Sequence, residues 1–564
     1  MSRVVETQTY RLNVEPPDEI VVVNGASWKC PIYVRKMPPC RSNCRTSEDI
    51  RGYLTHVAQS ADLKRPLDEV FDEAWHVLTD KNPFPAVHGR ICPHPCEDGC
   101  NRKHKDSPVA INNFERFVGD HGIKRGLKFQ TLTDIKSGKK VAVVGAGPSG
   151  LSCAYQLARR GHSVVVFESA AEPGGMLRYG IPSYRLPREI LSAEIKNILD
   201  LGVELRCDAK VGADASFQDL RKNFDAVYVA VGAQKGGRLG VAGDDLPGVL
   251  TGVDFLNMIN RGKQVPVGRK AVIVGGGNTA MDAARVALRL GADVTILYRR
   301  TKNDMPAIHG EIREAEQEGI KFLLLSAPVG VERNAKGSLV VKCAQMRPGE
   351  KDASGRSRPV PVEGSEFSIE ADTVISAVGQ TQDLTGMGDL PNDKGRVLAN
   401  STRQTSLPDV FAGGDAVAVD LAVTAVGHGR KAAKAIHAFL NGQAYKENPP
   451  ARPVKHTDMD LDYYPPAPRN DAREIPLERR VAGFEEITAA LTMEEAVAES
   501  RRCMSCGLCF SCDRCRVYCP RSAISRDKKR LVGQVMFSDY TRCAGCHICR
   551  DVCPSGYIEM GMGL

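Results

Sequence analysis

The chain has 564 residues, of which 42% are hydrophobic and 26% are charged, and its formal net charge is +8. This composition is typical of a globular protein of several domains and excludes fibrous and intrinsically disordered classes. Because the basic residues are scattered among acidic ones, the charge pattern argues against a nucleic-acid partner.

The N-terminal segment lacks the features of a secretion signal. Glu6, Glu15 and Asp18 interrupt the region in which a signal peptide carries its apolar run. The sequence also has no stretch of 18 or more consecutive apolar residues, which a membrane-spanning helix requires. We therefore expect a cytoplasmic protein with no membrane span.

Cysteine is the unusual component of this chain. Sixteen of its 19 cysteines fall in two short regions, six between Cys30 and Cys100 and ten between Cys503 and Cys553. In a reducing cytoplasm, such thiol clusters are more often metal ligands than disulfides. The other three are expected to be small apolar filler: Cys153, Cys207 and Cys343.

Residues 1–130 are predicted to form a helical iron-sulfur domain. Apolar residues recur every three or four positions in Leu67–Asn82, which indicates an amphipathic helix. The cysteines stand in two short motifs, PPCRSNC and GRICPHPCEDGC. Thiols at these spacings can converge on one iron-sulfur cube, and a zinc site is the competing interpretation.

The segment from Lys140 predicts a dinucleotide-binding βαβ unit. Gly145, Gly147 and Gly150 follow a strand and precede a helix, so backbone N–H groups can approach a pyrophosphate. Glu168 closes the second strand, where a carboxylate can accept the adenosine ribose hydroxyls.

A second unit of the same kind begins at Ala271. It offers Gly275, Gly277 and Ala280 in the glycine fingerprint, and its second strand ends in Arg299 and Arg300 instead of an acid. Guanidinium groups suit a 2′-phosphate, although arginine can also stack on adenine or cap the strand. The acidic first site and basic second site together imply FAD in the first and a nicotinamide in the second.

Strands that alternate with helices predict an α/β fold with two Rossmann-like domains. Further strands at 371–380 and 409–416 suggest that the nicotinamide domain is inserted in the FAD domain. We assign 131–255 and 381–445 to the FAD domain, 256–380 to the nicotinamide domain and 446–500 to a Pro-rich linker that ends in a helix.

Residues 501–564 predict an α+β module of the bacterial ferredoxin type with two [4Fe-4S] clusters. The C-x2-C-x2-C-x3-C-P run occurs twice, and in this arrangement the fourth cysteine of each run ligates the other cluster. The expected ligand sets are Cys509, Cys512, Cys515 and Cys553 for one cluster, and Cys543, Cys546, Cys549 and Cys519 for the other. Cys503 and Cys506 are either spare thiols or part of another site.

The sequence VFAGGDAV, with EPGGMLRYGIPSYRLP and YRRTKNDMPA, resembles the glutamate synthase small-subunit family of flavoproteins over residues 30–445. The resemblance implies that Asp415 contacts the flavin ribityl chain and that one or two clusters lie in the N-terminal domain. It assigns Cys44, Cys92, Cys96 and Glu115 to the cluster nearest the flavin. Without it, Glu115 reads as a solvated helix residue.

A second N-terminal cluster is less complete in this sequence. Family members with two such clusters carry an extra Cys-x-x-Cys upstream, whereas here Cys30 alone precedes Cys40. A cluster held by Cys30, Cys40 and Cys100 would therefore lack an evident fourth ligand.

The remaining site predictions follow from the two glycine units and the resemblance. Hydride transfer is centred on the flavin, so no catalytic side chain is expected. For FAD the predicted contacts are Gly145, Gly147, Pro148, Ser149, Gly150, Glu168, Gly175, Met176, Arg185, Gly232, Gly414, Asp415, Thr424 and Ala425. For NAD(P) they are Gly275, Gly277, Asn278, Thr279, Ala280, Arg299, Arg300, Ala377 and Gly379.

The N-terminal cysteine motifs and the C-terminal ferredoxin run together most resemble the iron-sulfur flavoproteins of dissimilatory sulfite reductase systems. This likeness implies that electrons pass between NAD(P)H and sulfite reductase, with NAD reduction during sulfur oxidation, and it favours NAD against the arginine argument. The alternatives are an NAD(P)H:ferredoxin-type oxidoreductase for another reductase, a glutamate synthase small subunit, and a non-enzymatic iron-sulfur scaffold. A homodimer is compatible with the sequence, which does not decide the oligomeric state.

Overall fold

The computed structural model of the chain describes residues 29–62, 64–335, 337–352, 355–447, 451–527 and 532–562. Residues 1–28, which contain the segment considered for a secretion signal, lie outside this range. In the described part of the chain, no helix is both long enough and apolar enough to cross a lipid bilayer.

The N-terminal region is helical apart from one short strand. It contains β1 (Cys30–Tyr33), α1 (Pro39–Asn43), α2 (Ile50–Ala58), α3 (Leu67–Thr79), α4 (Pro85–Ile91), α5 (Pro95–Asp98) and α6 (Ile111–Arg125). The helix predicted over Leu67–Asn82 is α3. Its residues Phe71 and Trp75 are buried in a core that continues to Val141 in the next domain, so the helices form one hydrophobic unit with the first parallel sheet.

The first dinucleotide-binding unit follows directly. Its elements are β2 (Lys140–Val144), α7 (Pro148–Ala158), β3 (Ser163–Phe167), α8 (Met176–Tyr179), α9 (Arg188–Leu199), β4 (Glu204–Arg206), α10 (Phe217–Asn223) and β5 (Ala226–Val229). These strands pair in parallel in the order β5-β2-β3-β4. The middle strands are rich in valine and buried, as expected for a parallel sheet covered on its faces.

The second unit has the same design. It contains β6 (Lys235–Gly236), β7 (Val249–Thr251), α11 (Gly252–Asn260), β8 (Lys270–Val274), α12 (Asn278–Arg289), β9 (Asp293–Tyr298), α13 (His309–Gln317) and β10 (Lys321–Leu324). Its parallel sheet has the order β10-β9-β8, extended beyond β8 by a later strand and then by β7. Since β7 precedes the predicted boundary at residue 256, this sheet begins earlier in the chain than the sequence indicated.

An antiparallel sheet that the sequence did not reveal interrupts the second unit. It is built from β11 (Ser326–Arg333), β12 (Leu339–Lys351), β13 (Ser357–Pro361) and β14 (Phe367–Ala371). The chain then returns through β15 (Thr373–Ser376), which lies between β8 and β7. β16 (Gln380–Thr381) pairs with β6, so the two crossings between the domains lie side by side.

The first sheet is completed after this insertion. β17 (Asn392–Asp393) and β18 (Arg396–Val397) form a small hairpin, and β19 (Val410–Ala412) then joins the first sheet beside β5. The long helix α14 (Ala422–Leu440) packs against α7. The predicted discontinuity of the first domain thus corresponds to the strand order β19-β5-β2-β3-β4.

The C-terminal region wraps back over the N-terminal domain. It contains α15 (Leu477–Ala482), α16 (Met493–Arg501), α17 (Arg514–Val517), β20 (Ile524–Arg526), β21 (Met536–Ser538), α18 (Ile548–Asp551) and β22 (Ile558–Gly561). Thr492 caps α16 and accepts from the backbone N–H of Glu495, in agreement with the predicted helix start. β22 pairs antiparallel with β1 from Cys30 opposite Gly561 to Tyr33 opposite Ile558, which joins the first and the last strand of the described residues.

The segment predicted as a linker is bonded along its length. Arg469 pairs with the buried carboxylate of Glu97 at 2.7 Å, and Asn470 donates to Glu499. Ile487, which is buried, donates its N–H to the carbonyl of Tyr184. These contacts hold the segment against the N-terminal domain and against Tyr184 of the first dinucleotide-binding domain.

A buried ion network stabilises the second unit. Glu318 accepts from both Arg285 and Arg289, at distances of 2.7 to 3.0 Å, and all three side chains are fully buried. The Arg289 guanidinium also lies 4.0 Å from the ring centre of Tyr184. Burial opposes ionisation of Glu318, but the two guanidinium groups hold its pKa below the usual value.

We expect Glu318→Ala to destabilise this unit by about 3–5 kcal/mol, because the buried Arg289 would lose its carboxylate and Arg285 would keep only Glu311 and Glu314. Denaturant unfolding, followed with NADPH binding as the local probe, measures the change. Glu316→Ala, which removes an exposed carboxylate paired with Lys302, is the matched control and should change stability by less than about 1 kcal/mol.

The pH dependence of the same network has a defined sign. Since the pKa of Glu318 is lowered on folding, its stabilisation is present above the ordinary glutamate pKa of about 4.3 and is lost as the pH falls below it. Equal decreases in the free energy of unfolding of Glu318→Ala and Glu316→Ala at neutral pH would contradict the assigned role of Glu318.

Candidate functional site

A cavity of about 1140 Å³ lies between the two parallel sheets. Both glycine-rich turns line it, at the carboxyl ends of β2 and β8. This is where open α/β sheets bind their ligands, because the helix N-termini and the turn N–H groups point into the same crevice. Both dinucleotide-binding units therefore open into one crevice.

The first glycine turn is shaped by close backbone approaches. Gly145 has φ of +103°, and a Cβ there would lie 2.5 Å from the Ala230 carbonyl oxygen. A Cβ on Gly150 would lie 1.9 Å from the Gly145 oxygen, so Gly150 serves helix–strand packing and does not line the cavity. At Gly147 the space toward the cavity is open.

Glu168 lies in the wall of the same half. Its side chain is buried, and its carboxylate accepts from the Ala146 N–H at 2.7 Å and from the Ala170 N–H at 2.8 Å. These bonds fix the carboxylate at the end of β3 while leaving lone pairs for further donors. The geometry is suited to ribose hydroxyl groups.

Asp415 lies on the opposite wall of this half, directly after β19. Burial raises the pKa of Asp415 to about 6. Its neighbour Gly414 has φ of +63°, and the N-terminus of α14 lies alongside through Ala425. Thr424 does not line the cavity, and its buried hydroxyl has no hydrogen-bond partner among the described residues. An acceptor beside a helix N-terminus fits the hydroxyl-rich chain of a flavin.

The second glycine turn repeats the first. Gly275 has φ of +146°, and a Cβ there would lie 2.4 Å from the Ala377 carbonyl oxygen. Asn278 begins α12, and its side-chain oxygen accepts from the Ile308 N–H at 2.9 Å. Ala280 is fully buried beneath the turn and does not line the cavity.

The two arginines after β9 differ in their surroundings. Arg300 is buried and bonded to Asp352 at 2.8 Å and to the Ser357 carbonyl. Arg299 is exposed on the cavity wall, and no carboxylate pairs with it in the described part of the chain. Arg299 therefore has a guanidinium group available to a ligand, whereas Arg300 supports the antiparallel sheet.

Arg185 has a structural partner that the sequence did not indicate. It lines the cavity, but its guanidinium bonds to Asp282 on α12 and to Glu311 on α13, each at 2.8 Å. Both carboxylates belong to the second unit, so Arg185 ties the first domain to the second. No sequence motif comparable to the glycine fingerprint marks an arginine that bonds to distant carboxylates in this way.

The other predicted dinucleotide contacts are found on the same cavity wall. For the first site these are Pro148, Ser149, Gly175, Met176 and Gly232, and for the second site Gly277, Thr279, Ala377 and Gly379. The residues present therefore fit FAD in the first half and a nicotinamide dinucleotide in the second. Ile91, at the end of α4, also lines this cavity and precedes Cys92.

The N-terminal site beside this cavity combines thiols and a carboxylate. The electrostatic neighbours of Cys96 include Cys44, Cys92 and Glu115. Glu115 is buried and accepts from Asn82 at 2.9 Å, so it is not the solvated residue of the alternative interpretation. Burial raises the pKa of Glu115 well above its usual value.

Among the described residues, only Glu48, His88 and Glu115 place three potential metal-binding atoms within 4.8 Å of one another. Ligands of a single tetrahedral zinc lie closer together than that, at about 3.8 Å between sulfur atoms. No set of three cysteine sulfurs in the described ranges meets this limit, so the spread of these thiols fits a polynuclear cluster better than zinc.

The C-terminal cysteines surround two separate small cavities. One is lined by Cys509, Cys512, Cys515 and Cys553, and the other by Cys519, Cys543, Cys546 and Cys549. These are the two crossed sets that the doubled run predicts. Each site is thus assembled from both halves of the module, as expected for a ferredoxin-type pair.

Cys30, Cys40 and Cys100 do not come together. Cys30 lies on β1, where its side chain contacts Cys543 of the C-terminal module. Cys40 and Cys100 lie apart from it and line a further cavity. The isolated Cys153 and Cys343 are buried in the hydrophobic cores, as expected for apolar filler, and Cys207 is half-buried.

Three family models match the chain. Residues 139–429 match pyridine nucleotide-disulphide oxidoreductase, residues 28–127 match dihydropyrimidine dehydrogenase domain II with a 4Fe-4S cluster, and residues 508–557 match the 4Fe-4S dicluster domain. The predicted fold class and the predicted cofactors, which are FAD, a nicotinamide and [4Fe-4S] clusters, are therefore confirmed.

Curated relatives extend over most of the sequence. An "NADP(+)-dependent formate dehydrogenase subunit beta" of Moorella thermoacetica is 38% identical over 83% of this chain and 70% of its own length. An "NADPH-Fe(3+) oxidoreductase subunit beta" of Geobacter sulfurreducens is 37% identical over 83% and 75%. A "Glutamate synthase [NADPH] small chain" of Escherichia coli is 36% identical over 65% and 83%.

We expect Glu168→Ala to weaken FAD retention. Loss of a hydrogen-bonded carboxylate removes about 2 kcal/mol of binding free energy, which corresponds to roughly 30-fold in affinity. The flavin-to-protein ratio after gel filtration measures the effect. Glu204→Ala, at an exposed carboxylate on the adjacent strand, is the control, and equal flavin content in the two variants would contradict the assignment of the first site.

Proposed function

This chain belongs to the pyridine nucleotide-disulphide oxidoreductase family, and we propose that it exchanges electrons between a nicotinamide and dissimilatory sulfite reductase. It is an FAD-dependent NAD(P)H oxidoreductase with [4Fe-4S] clusters, similar to glutamate synthase small chains. The proposal concerns its partner, its nicotinamide and the direction of electron flow, which is toward nicotinamide reduction during sulfur oxidation.

The protein's own residues position the reaction. Bound FAD would supply hydride exchange with the nicotinamide and one-electron exchange with the clusters. Glu168 and Asp415 would hold the two ends of FAD, and the turn at Gly275 would receive the pyrophosphate of the second dinucleotide. Arg185, bonded to α12 and α13, keeps the two halves of the cavity in register. No side-chain acid or base is required.

We infer that the redox partner contacts the C-terminal module. Val517 is 67% exposed and Tyr518 is 53% exposed. They immediately precede Cys519, which lines the cavity that also contains Cys543, Cys546 and Cys549. Exposed apolar side chains next to a redox site are suited to transient protein contacts. This observation, together with the resemblance of the cysteine motifs to sulfite reductase-associated flavoproteins, supports the proposed partner.

Arg299 supports NADP(H) as the preferred nicotinamide. Its exposed guanidinium stands at the end of β9, where the adenosine ribose of a bound dinucleotide lies in this fold, and no carboxylate neutralises it in the described part of the chain. The relatives named above include proteins that carry NADP(+) or NADPH in their names. We therefore set aside the NAD preference that the resemblance implied.

Replacing Arg299 with alanine should raise the KM for NADPH by roughly 10- to 100-fold, because a charge-assisted bond to the 2′-phosphate contributes about 1.5–3 kcal/mol. The KM for NADH should change by less than about twofold. Steady-state viologen reduction measures both values. Lys302→Ala, which removes a nearby exposed cation paired with Glu316, is the control, and a parallel rise in both KM values would refute the phosphate contact.

The partner is tested with the anaerobically purified protein, first with a viologen dye and then with dissimilatory sulfite reductase. We expect Val517→Asp to leave dye reduction unchanged and to slow transfer to sulfite reductase by about tenfold, as truncation of a central interface residue does. Leu132→Asp, at an exposed leucine outside the module, is the control. Dye reduction without transfer to sulfite reductase in the unmodified protein would retain the flavin chemistry and overturn this partner, in favour of another reductase or of glutamate synthase.

A further inference from the structure

Four cysteines from distant parts of the chain line one small cavity. Cys40 comes from α1, Cys100 follows α5, and Cys503 and Cys506 follow α16. None of the cluster sites described above uses these four thiols. In the sequence analysis, Cys503 and Cys506 have no assigned role, and Cys40 and Cys100 have too few partner cysteines to hold a cluster.

The surrounding contacts hold the three segments together. α16 packs against α2, which follows α1. The Asn101 side chain donates to the Val454 carbonyl at 3.0 Å and lies 3.7 Å from the Cys506 sulfur. Arg102 donates to the carbonyl of Arg502, next to Cys503. The cavity is therefore a built feature of the domain interface.

The state and spacing of the thiols narrow what the cavity can bind. No disulfide joins any two of the four cysteines in this structure. No three of their sulfur atoms lie within 4.8 Å of one another, whereas a tetrahedral zinc would bring thiolates to about 3.8 Å. Four thiols spread around one cavity fit a cube of iron and sulfur.

A buried arginine gives an independent indication. Arg51 lines the same cavity, and its side chain is 2% exposed. It donates to the carbonyls of Lys36 and Cys506, but its Nε has no partner and no carboxylate lies within 4.0 Å of it in the described ranges. The carboxylate of Asp49 favours the charged form of Arg51 but does not come within 4.0 Å of its guanidinium. Arg51 therefore lacks a close counter-charge, which the negative charge of a thiolate-bound cluster would supply.

We propose that Cys40, Cys100, Cys503 and Cys506 bind a further [4Fe-4S] cluster whose ligands are shared between the N-terminal domain and the C-terminal segment. This would be the fourth cluster of the chain. The Cys-x-x-Cys pair that the N-terminal sequence lacks is supplied by residues 503–506. The existence of the site does not depend on the proposed partner, whereas its role in electron transfer rests on the proposed function.

The position of this site is between the others. Cys40 and Cys44 lie at the two ends of α1, and the Cys44 N–H donates to the Cys40 carbonyl at 3.0 Å. Cys506 precedes Cys509 by three residues, so their Cα atoms are at most about 11 Å apart. Tyr464 lies beside both Cys506 and Cys512. The fourth cluster would thus connect the flavin-side cluster to the ferredoxin module.

The test compares full-length holoproteins prepared anaerobically. Unmodified protein should contain about 16 irons and as many acid-labile sulfides per chain, and Cys40→Ala or Cys506→Ala should each contain about 12. Both variants should lose the same signal from the electron paramagnetic resonance (EPR) spectrum of the reduced protein. The double variant should lose no more iron than either single variant, because both cysteines serve one cluster.

Two controls separate this result from general damage. Cys207→Ala should retain about 16 irons, and Cys512→Ala should lose about four irons and a different EPR signal. Flavin content and NADPH-dependent viologen reduction report on the flavin site, so a failure there would concern the proposed function and not this cluster. Arg51→Met should shift the potential of the affected signal to a more negative value.

Several results would overturn the proposal. These are about 12 irons in the unmodified protein, stoichiometric zinc, loss of different signals in the two single variants, or a loss of about eight irons in the double variant. If the variants do not accumulate as soluble protein, the iron, sulfide and EPR spin count of the unmodified protein decides the question by itself.

Discussion

The antiparallel pairing of β1 with β22 is the contact on which the arrangement of the redox sites depends. It joins residues 30–33 to residues 558–561 and places the ferredoxin module against the N-terminal helices. The ion pair of Lys36 with Glu559 and the bond between Tyr33 and Ser538 reinforce it. Because electron transfer requires neighbouring centres, a module tethered only by a flexible linker would not provide a fixed route. The strand pair provides one.

Short spacings in the sequence predicted the local parts of this architecture well. The glycine turns at Gly145 and Gly275 and the doubled C-terminal cysteine run each encode their chemistry within about 45 residues or fewer, so their geometry follows from chain stiffness and ligand preference. The pairing of β1 with β22 and the meeting of Cys40 with Cys506 depend on contacts across long stretches of chain. A single sequence contains no periodic signal for such contacts, and these features were missed.

Buried charge explains much of what sequence motifs did not. Arg185 bonds to two carboxylates of the second unit, and Arg285 and Arg289 share Glu318. A sequence pattern can predict that an arginine lies near a ligand. It does not show whether a neighbouring carboxylate already bonds to the guanidinium group of that arginine. The two residues after β9 looked equivalent in the sequence, and both line the cavity, yet Arg300 is bonded to Asp352 whereas no carboxylate pairs with Arg299 in the described part of the chain. Tertiary context alone separates them.

The division of one thiol set between Cys40 and Cys503 has a consequence for biosynthesis. The two positions are 463 residues apart, so at 5–20 residues per second the ribosome reaches the second roughly 25 to 90 s after the first. During that interval Cys40 and Cys100 lack the two partner thiols of the proposed site. Iron insertion at this place must therefore follow release or near-completion of the chain, whereas the site of Cys44, Cys92 and Cys96 can be loaded during synthesis. Cluster insertion would then proceed from the flavin-side site toward the C-terminal module. A truncated chain that lacks Cys503 and Cys506 would never complete the fourth cluster.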